Sequence, residues 1–366
     1  MMPMVGLLAV VALASQQHVA DSSLFRPLPL PPATLVRSAS GAPGPRYWQQ
    51  RADYVIRATL DTAANVLRGS ERVYYVNRSP EPLTFVWMQL DQNLFAPGSV
   101  SAALHQPPLR FAGGVVFDFT GKGFVGGVTI TRLTAAGRPV RPTVLGTMMR
   151  VELPRPLRPD TGITFEIDWT FPIPPYGAGR MGRVGSRFYE MGLWYPRMAV
   201  YDDVNGWNTL PFLGAGEFYL EFGDFDVRLT VPAGFVVAAT GMIANPDAVR
   251  TPQQRARLAR ALQSSDAVAI ITREEALANA TRAVPGTKTW RFIASTVRDF
   301  AWAAGPALRW DASSWNGILV QTFYHPAATS WEQANRMLRF GLLHFSETLG
   351  RYPWPQISSV EGLVEG

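Results

Sequence analysis

The sequence predicts a mainly β chain: an amino-terminal sandwich-like β domain followed by a shorter segment of α/β character. Three observations predict this. Apolar and polar residues alternate with a period of two in several short runs. Turn signals separate those runs at spacings typical of antiparallel sheets. Glycine (32) and proline (30) are frequent, yet 11 Trp, 11 Tyr and 20 Phe supply far more apolar surface than a disordered chain carries.

Tyr54, Ile56, Ala58 and Leu60 alternate with Val55, Arg57 and Thr59, the pattern of a half-buried strand. Val73 and Tyr75 continue it, as do Leu83, Phe85 and Trp87, with turns at Ala64-Asn65, Asn77-Arg78-Ser79-Pro80 and Ala96-Pro97-Gly98. Further strands are expected at 115–119, 127–133, 150–153 and 163–171. Residues 172–187, rich in Gly, Pro and Arg, read as a long loop, and 192–214 as an aromatic irregular stretch. Residues 217–231 read as a strand pair turning at Gly223-Asp224, and 234–241 as one more apolar strand.

Two short helices follow. Thr251-Pro252-Gln253-Gln254 combines an N-cap, a proline at the first helical position and a capping-box glutamine. Thr272-Arg273-Glu274-Glu275 repeats the box. The texture changes at Trp290. Strands are expected at 291–297 and 318–324 with a turn-rich gap between them, then an amphipathic helix over 331–349. Its apolar positions are Trp331, Ala334, Met337, Leu338, Leu342, Phe345 and Leu349, with Ser330 and Gln333 as its capping box and Gly350 as its stop. A last strand is expected at 357–360.

These elements divide the chain into residues 1–14, 15–45, 46–289 and 290–366. Residues 5–14 (VGLLAVVALA) are an apolar run ending in an A-x-A-like signal, which predicts a cleaved signal peptide and hence an exported protein, periplasmic, secreted or surface-held. Residues 15–45 are polar and then proline-rich, the composition of an extended linker. No other run approaches the roughly 20 apolar residues that a membrane-spanning helix needs, so none is expected in the mature chain.

Net charge is +6, carried almost entirely by arginine; the lysines are Lys122 and Lys288. The arginines are scattered along the sequence, as at Arg57, Arg110, Arg150 and Arg228, and form neither a basic run nor a nucleic-acid module. With no cysteine, disulfides, thiolate metal sites and thiol catalysis are excluded.

Four histidines occur, His18, His105, His325 and His344, and no two stand at i and i+4, the spacing that places a pair of zinc ligands on one helix face. His344 and Glu347 lie one helical turn apart and are too few for a three-ligand site. Asp202-Asp203 and Glu217/Glu221 have the residue types of a glycosidase carboxylate pair, or of ordinary solvated loops. Trp194, Tyr195, Tyr201 and Trp207 suit a sugar-stacking platform or a packed sheet seam. No G-x-S-x-G elbow is present, and Gly121-Lys122-Gly123 lacks the flanks of a phosphate loop.

The order and wording of several segments resemble the aminopeptidase N family of gluzincin zinc metallopeptidases. RADYVIRATLD with VLRGSERVYYVNRSPEPL resembles that family's opening β-hairpin. GLWYPRMAVYDD and GEFYLEFGDFDVRLTVPAGFVVAATG resemble later strands of its N-terminal β-saddle domain. WRFIASTVRDFAWAAG resembles the opening of its thermolysin-like catalytic domain, and FSETLGRYPWPQISSVEG the helix and strand just before its active-site strand.

The resemblance implies a β-saddle domain over 46–289 and the incomplete start of an α/β catalytic domain over 290–366. It implies removal of amino-terminal residues from peptides, with zinc in the full-length enzyme. The family's G-x-M-E-N strand and H-E-x-x-H helix follow the matching region, so this chain is expected to stop before the zinc site and to be inactive alone. The family places a Gln or Glu ahead of an arginine to meet the substrate amine. Counting back from Arg197 reaches Gly192, which has no side chain, and leaves Glu190 as the candidate substrate-binding residue. The rival readings are a secreted β-sandwich module that binds glycan or protein, and a noncatalytic scaffold derived from the peptidase.

Overall fold

The computed structural model describes residues 32–100, 103, 109–110, 116–117, 123–175, 180–214 and 218–362. The signal segment, most of the proline-rich stretch, His18, His105, Lys122 and Glu217 lie outside the described residues. Two compact units are present, one up to Tyr47 and the other from Trp48 onward. In the first, residues expected as an extended linker turn back on themselves. Thr34 Oγ1 accepts from the Val36 and Arg37 amides, Arg37 bridges to Pro43, and the Arg37 guanidinium lies over the Tyr47 ring.

The larger unit is mainly β. Its eight-stranded sheet contains β1 (Arg51–Asp61), β2 (Val66–Asn77), β6 (Thr129–Ala135), β7 (Arg138–Pro139), β10 (Thr161–Pro172), β16 (Gly223–Pro232), β18 (Met242–Ile243) and β20 (Thr287–Val297). The order is β18-β20-β16-β1-β2-β10-β6-β7. β1 pairs antiparallel with β2 and parallel with β16. The alternation read in the sequence sends Tyr54, Ile56, Ala58 and Leu60 inward.

A four-stranded sheet of β3 (Leu83–Gln89), β8 (Pro142–Leu145), β9 (Met148–Leu157) and β13 (Arg197–Met198) shares that core through Val86, Met88, Met149 and Val151. The inward residues expected on β3 were Leu83, Phe85 and Trp87. A register shift between Leu83 and Phe85 changes the phase, so Val86 and Met88 are buried instead. Two small pairs complete the set: β4 (Leu109–Arg110) with β5 (Val116–Phe117), and β14 (Tyr201–Asp202) with β15 (Gly206–Trp207).

A second four-stranded sheet has the order β11-β12-β21-β17, from β11 (Met181–Val184), β12 (Phe188–Met191), β17 (Val236–Ala239) and β21 (Trp302–Gly305). Both faces are buried. Tyr189, Met191, Val237, Trp302 and Ala304 pack into the core of the large sheet, while Phe188, Val236, Ala238 and Ala303 pack into a second core. Burial on both faces explains the unbroken apolar runs here. It also explains why part of 172–187, expected as loop, is strand: β11 gains its order from pairing with β12.

The second core is closed by a mixed sheet of β19 (Val268–Ile271), β22 (Arg309–Trp315), β23 (Ile318–Tyr324) and β24 (Gln356–Val360), with β24 parallel to β23. α1 (Pro246–Val249) precedes the two predicted helices, α2 (Pro252–Ala261) and α3 (Arg273–Thr281). Both carry complete capping boxes, Thr251 with Gln254 and Thr272 with Glu275. Leu258, Ala261 and Ala276 anchor them to this core.

α4 (Ala334–Thr348) lies on the far side of the mixed sheet, with Leu342 against Ile318 and Val320. It starts later than expected. Thr329–Gln333 is a 3-10 turn, and no side chain caps the helix at Gln333, so the Ser330/Gln333 box does not form. Gly350 ends it at a φ of 119°.

Two more expectations fail for identifiable reasons. Gly223-Asp224 is not a turn but the start of β16: a Cβ at Gly223 would stand 1.6 Å from the Ala52 carbonyl oxygen, so close backbone approach requires the glycine. The change of texture at Trp290 falls inside β20, which pairs with β16 in the large sheet, and the gap after it holds β21 and β22.

Candidate functional site

β23 and β24 run parallel, so their carboxy-terminal ends emerge side by side. His325 follows one and Glu361 the other. The Glu361 amide donates to the Phe323 carbonyl at 2.8 Å, extending the pairing. The Glu361 carboxylate accepts from the His325 amide at 2.6 Å and lies 3.1 Å from His325 Nδ1. One acidic side chain thereby ties the two strand ends together.

The face of β12 that carries Phe188 and Glu190 meets these ends. The Phe188 ring packs edge-on against the His325 imidazole, with centroids 4.8 Å apart. The Glu190 carboxylate lies against Gly362. A Cβ there would stand 2.5 and 2.6 Å from its two oxygens, so glycine leaves the space that the carboxylate fills. Glu190, picked from sequence, is thus half-buried at the point where β24 ends. Gly192 has its own reason to be glycine, since a Cβ there would stand 2.6 Å from the Arg180 carbonyl oxygen.

Arg197, the reference point for that count, is a structural anchor. It is buried and ion-paired with Asp91 at 2.6 Å and Asp299 at 2.7 Å. Tyr195 donates to the other Asp299 oxygen at 2.7 Å. Burial holds the Asp91 carboxyl above the usual carboxylate range, although Arg197 opposes this. The pairs tie the segment after β12 to the core, which fixes where β12 presents Glu190.

The other sequence candidates separate. Trp194 and Tyr195 are fully buried, and the Trp194 indole N–H donates to the Phe300 carbonyl at 2.7 Å. Tyr201 and Trp207 pack on each other and on Trp48 and Tyr75. The aromatic set is therefore packing, not an open platform. Asp202 accepts from the Val204 and Asn205 amides and from the Tyr219 hydroxyl, which accounts for it as a turn residue. Glu221 is buried elsewhere in the fold. His344 is exposed and stacked beside Phe340.

Among the described residues, no three His, Asp or Glu side chains converge as a metal-ligand set. The donors among the described residues therefore do not make up the site of a catalytic zinc, which takes three protein ligands and a water. Sequence reasoning missed Glu361 and Phe188. The spacing of Glu361 from His325 has no meaning until parallel pairing sets the strands side by side.

No family model matches the sequence, and no curated protein matches it. Solved structures do. One is a crystal structure of a two-domain M1 zinc metallopeptidase mutant bound to L-tryptophan, at 17% identity and a TM-score of 0.47, covering 87% of this chain and 58% of that one. Another is the M1 zinc metallopeptidase from Deinococcus radiodurans, at 17% identity and a TM-score of 0.46, covering 87% of this chain and 57% of that one. The chain thus spans a little over half the length of the structures it resembles.

Proposed function

We propose that this chain is the amino-terminal portion of an exported zinc metallopeptidase of the aminopeptidase N type. In this reading it supplies one wall of the peptide cleft, and Glu190 meets the substrate's amino terminus. The observation that carries it is the contact of Glu190 with Gly362. The sequence resemblance assigns the first to the amine-binding stretch and the second to the approach to the active-site strand, and the fold sets them side by side. Zinc belongs to residues that follow this chain, and the chain alone does not hydrolyse peptides.

Three observations test the proposal. The coding sequence after Gly366 is expected to supply G-x-M-E-N and then H-E-x-x-H; an intact gene ending at this position overturns the reading. The longer protein should bind one zinc per chain and cleave aminoacyl anilides, while the 366-residue chain does neither. In the longer protein, Glu190→Gln should lower kcat/KM for free amino-terminal substrates by roughly 10- to 100-fold, the loss of one hydrogen bond to a charged group. An unchanged kcat/KM removes Glu190 from the site.

A further inference from the structure

Some of the arginines scattered along the sequence, Arg57, Arg72, Arg132, Arg228 and Arg291, come together on the outer face of the eight-stranded sheet. β20, β16 and β1 are neighbours, and their registers set Arg291 opposite Arg228 and Arg228 opposite Arg57. The next residue in this rung, on β2, is Ser70. Arg72 stands two residues further along β2, on the same face, opposite Val55. Like charges directly across strands destabilise a sheet, so such a row needs counter-charge.

Asp226 supplies it for two members, at 2.8 Å from Arg291 and 3.4 Å from Arg228. Arg132 on β6 is taken up by Glu166 at 3.1 Å and Asp168 at 2.8 Å. Among the described residues, neither Arg57 nor Arg72 makes an ion pair or hydrogen bond with a carboxylate, although Glu166 on β10 stands across from Arg72 in the register. Both are exposed, and both line a hollow of about 160 Å3 with Val55, Ser70, Glu71, Arg132 and Glu166, the Glu71 side chain being itself buried. The Glu166 carboxylate is already turned to Arg132 and to the Thr134 hydroxyl. The hollow is several times the roughly 30 Å3 that a water molecule occupies in the liquid, enough for a group of a few heavy atoms.

We propose that this hollow binds a tetrahedral oxyanion, a phosphate or sulfate group, gripped by the guanidinium groups of Arg57 and Arg72 and by the Ser70 hydroxyl. Guanidinium forks match such oxygens in pairs, and a dianion would neutralise the two arginines that the protein leaves unpaired. The site lies on the sheet face away from the core and is separate from the peptidase reading. A free phosphate and a lipid phosphate headgroup offer the same chemistry.

The test uses the chain as it stands. Inorganic phosphate should raise the Tm more than sodium chloride at matched ionic strength, and the Arg57→Ala/Arg72→Ala variant should lose that difference. Phosphate affinity in the variant should fall by about tenfold or more. Should that variant not fold, Arg57→Lys/Arg72→Lys keeps the charge but loses the fork, and binding should weaken several-fold. Sedimentation with phosphatidic acid vesicles but not phosphatidylcholine vesicles, lost in the variant, would identify a lipid headgroup. Phosphate binding without sedimentation would identify a free phosphate group. Equal Tm shifts from phosphate and chloride, or an undiminished phosphate effect in both variants, overturns the proposal.

Discussion

Glu221 shows how far burial moves a single group. Loss of water raises its carboxyl to about 7, against an opposing pull from Arg298. The Arg298 guanidinium itself is engaged with the Leu220 carbonyl and the Phe222 ring. A folded-state pKa above the unfolded value means that the native protein holds the proton more tightly. The associated stability is fully present below the unfolded value near 4.5 and is lost as pH rises through about 7. The difference corresponds to the order of 3 kcal/mol. Urea midpoints measured from pH 5 to pH 8 should therefore fall in the wild type, and Glu221→Gln should flatten that slope while raising stability at the alkaline end. A parallel slope in the variant would assign the pH dependence to other groups. None of this is legible in sequence, where Glu221 reads as one more loop acid, because burial follows from packing.

Among the elements, α4 shows best what periodicity can and cannot fix. Its amphipathic spacing was readable, and Leu342 and Leu338 do face the sheet. The same stripe continues past what the sheet can cover. Met337 is 69%, Phe345 59% and Leu349 82% exposed, and they border a groove of about 600 Å3 with Tyr352, Pro353 and Ile357. Contiguous exposed apolar surface of this kind binds hydrophobic dyes and promotes association. The purified chain should bind such a dye, and Phe345→Glu with Leu349→Lys should abolish most of the signal at little cost in stability, since neither side chain is buried. A dye-silent wild type would show that the groove is closed in solution. The capping boxes of α2 and α3 were legible because their donors and acceptors lie within four residues of each other. The bulge in β3 was not, because its phase is set by pairing with β9 far along the chain.

At the scale of the whole molecule, the order of strands decides which pieces can fold. The sequence suggests a boundary near 290, where the texture changes. The sheets contradict an independent unit ending there. β20 supplies the neighbour of β16 in the large sheet, and β21 is paired on both sides within the doubly buried sheet. With the connection between them they bury Trp290, Phe292, Phe300 and Trp302 in the first core. At ~1.5–3 kcal/mol for each large apolar side chain, those four contribute roughly 6–12 kcal/mol. That equals the whole net stability of a typical domain, about 5–15 kcal/mol. A chain of residues 48–289 should therefore fail to fold, extension to 305 should restore the first core while leaving Phe188, Val236 and Ala238 uncovered, and extension to 362 should cover them. Limited proteolysis with near-ultraviolet circular dichroism across the three lengths distinguishes these states. Protease-resistant, natively packed 48–289 would show that the first core tolerates losing β20 and β21. The row of arginines obeys the same logic, since Arg57 and Arg228 become neighbours only through the parallel pairing of β1 with β16.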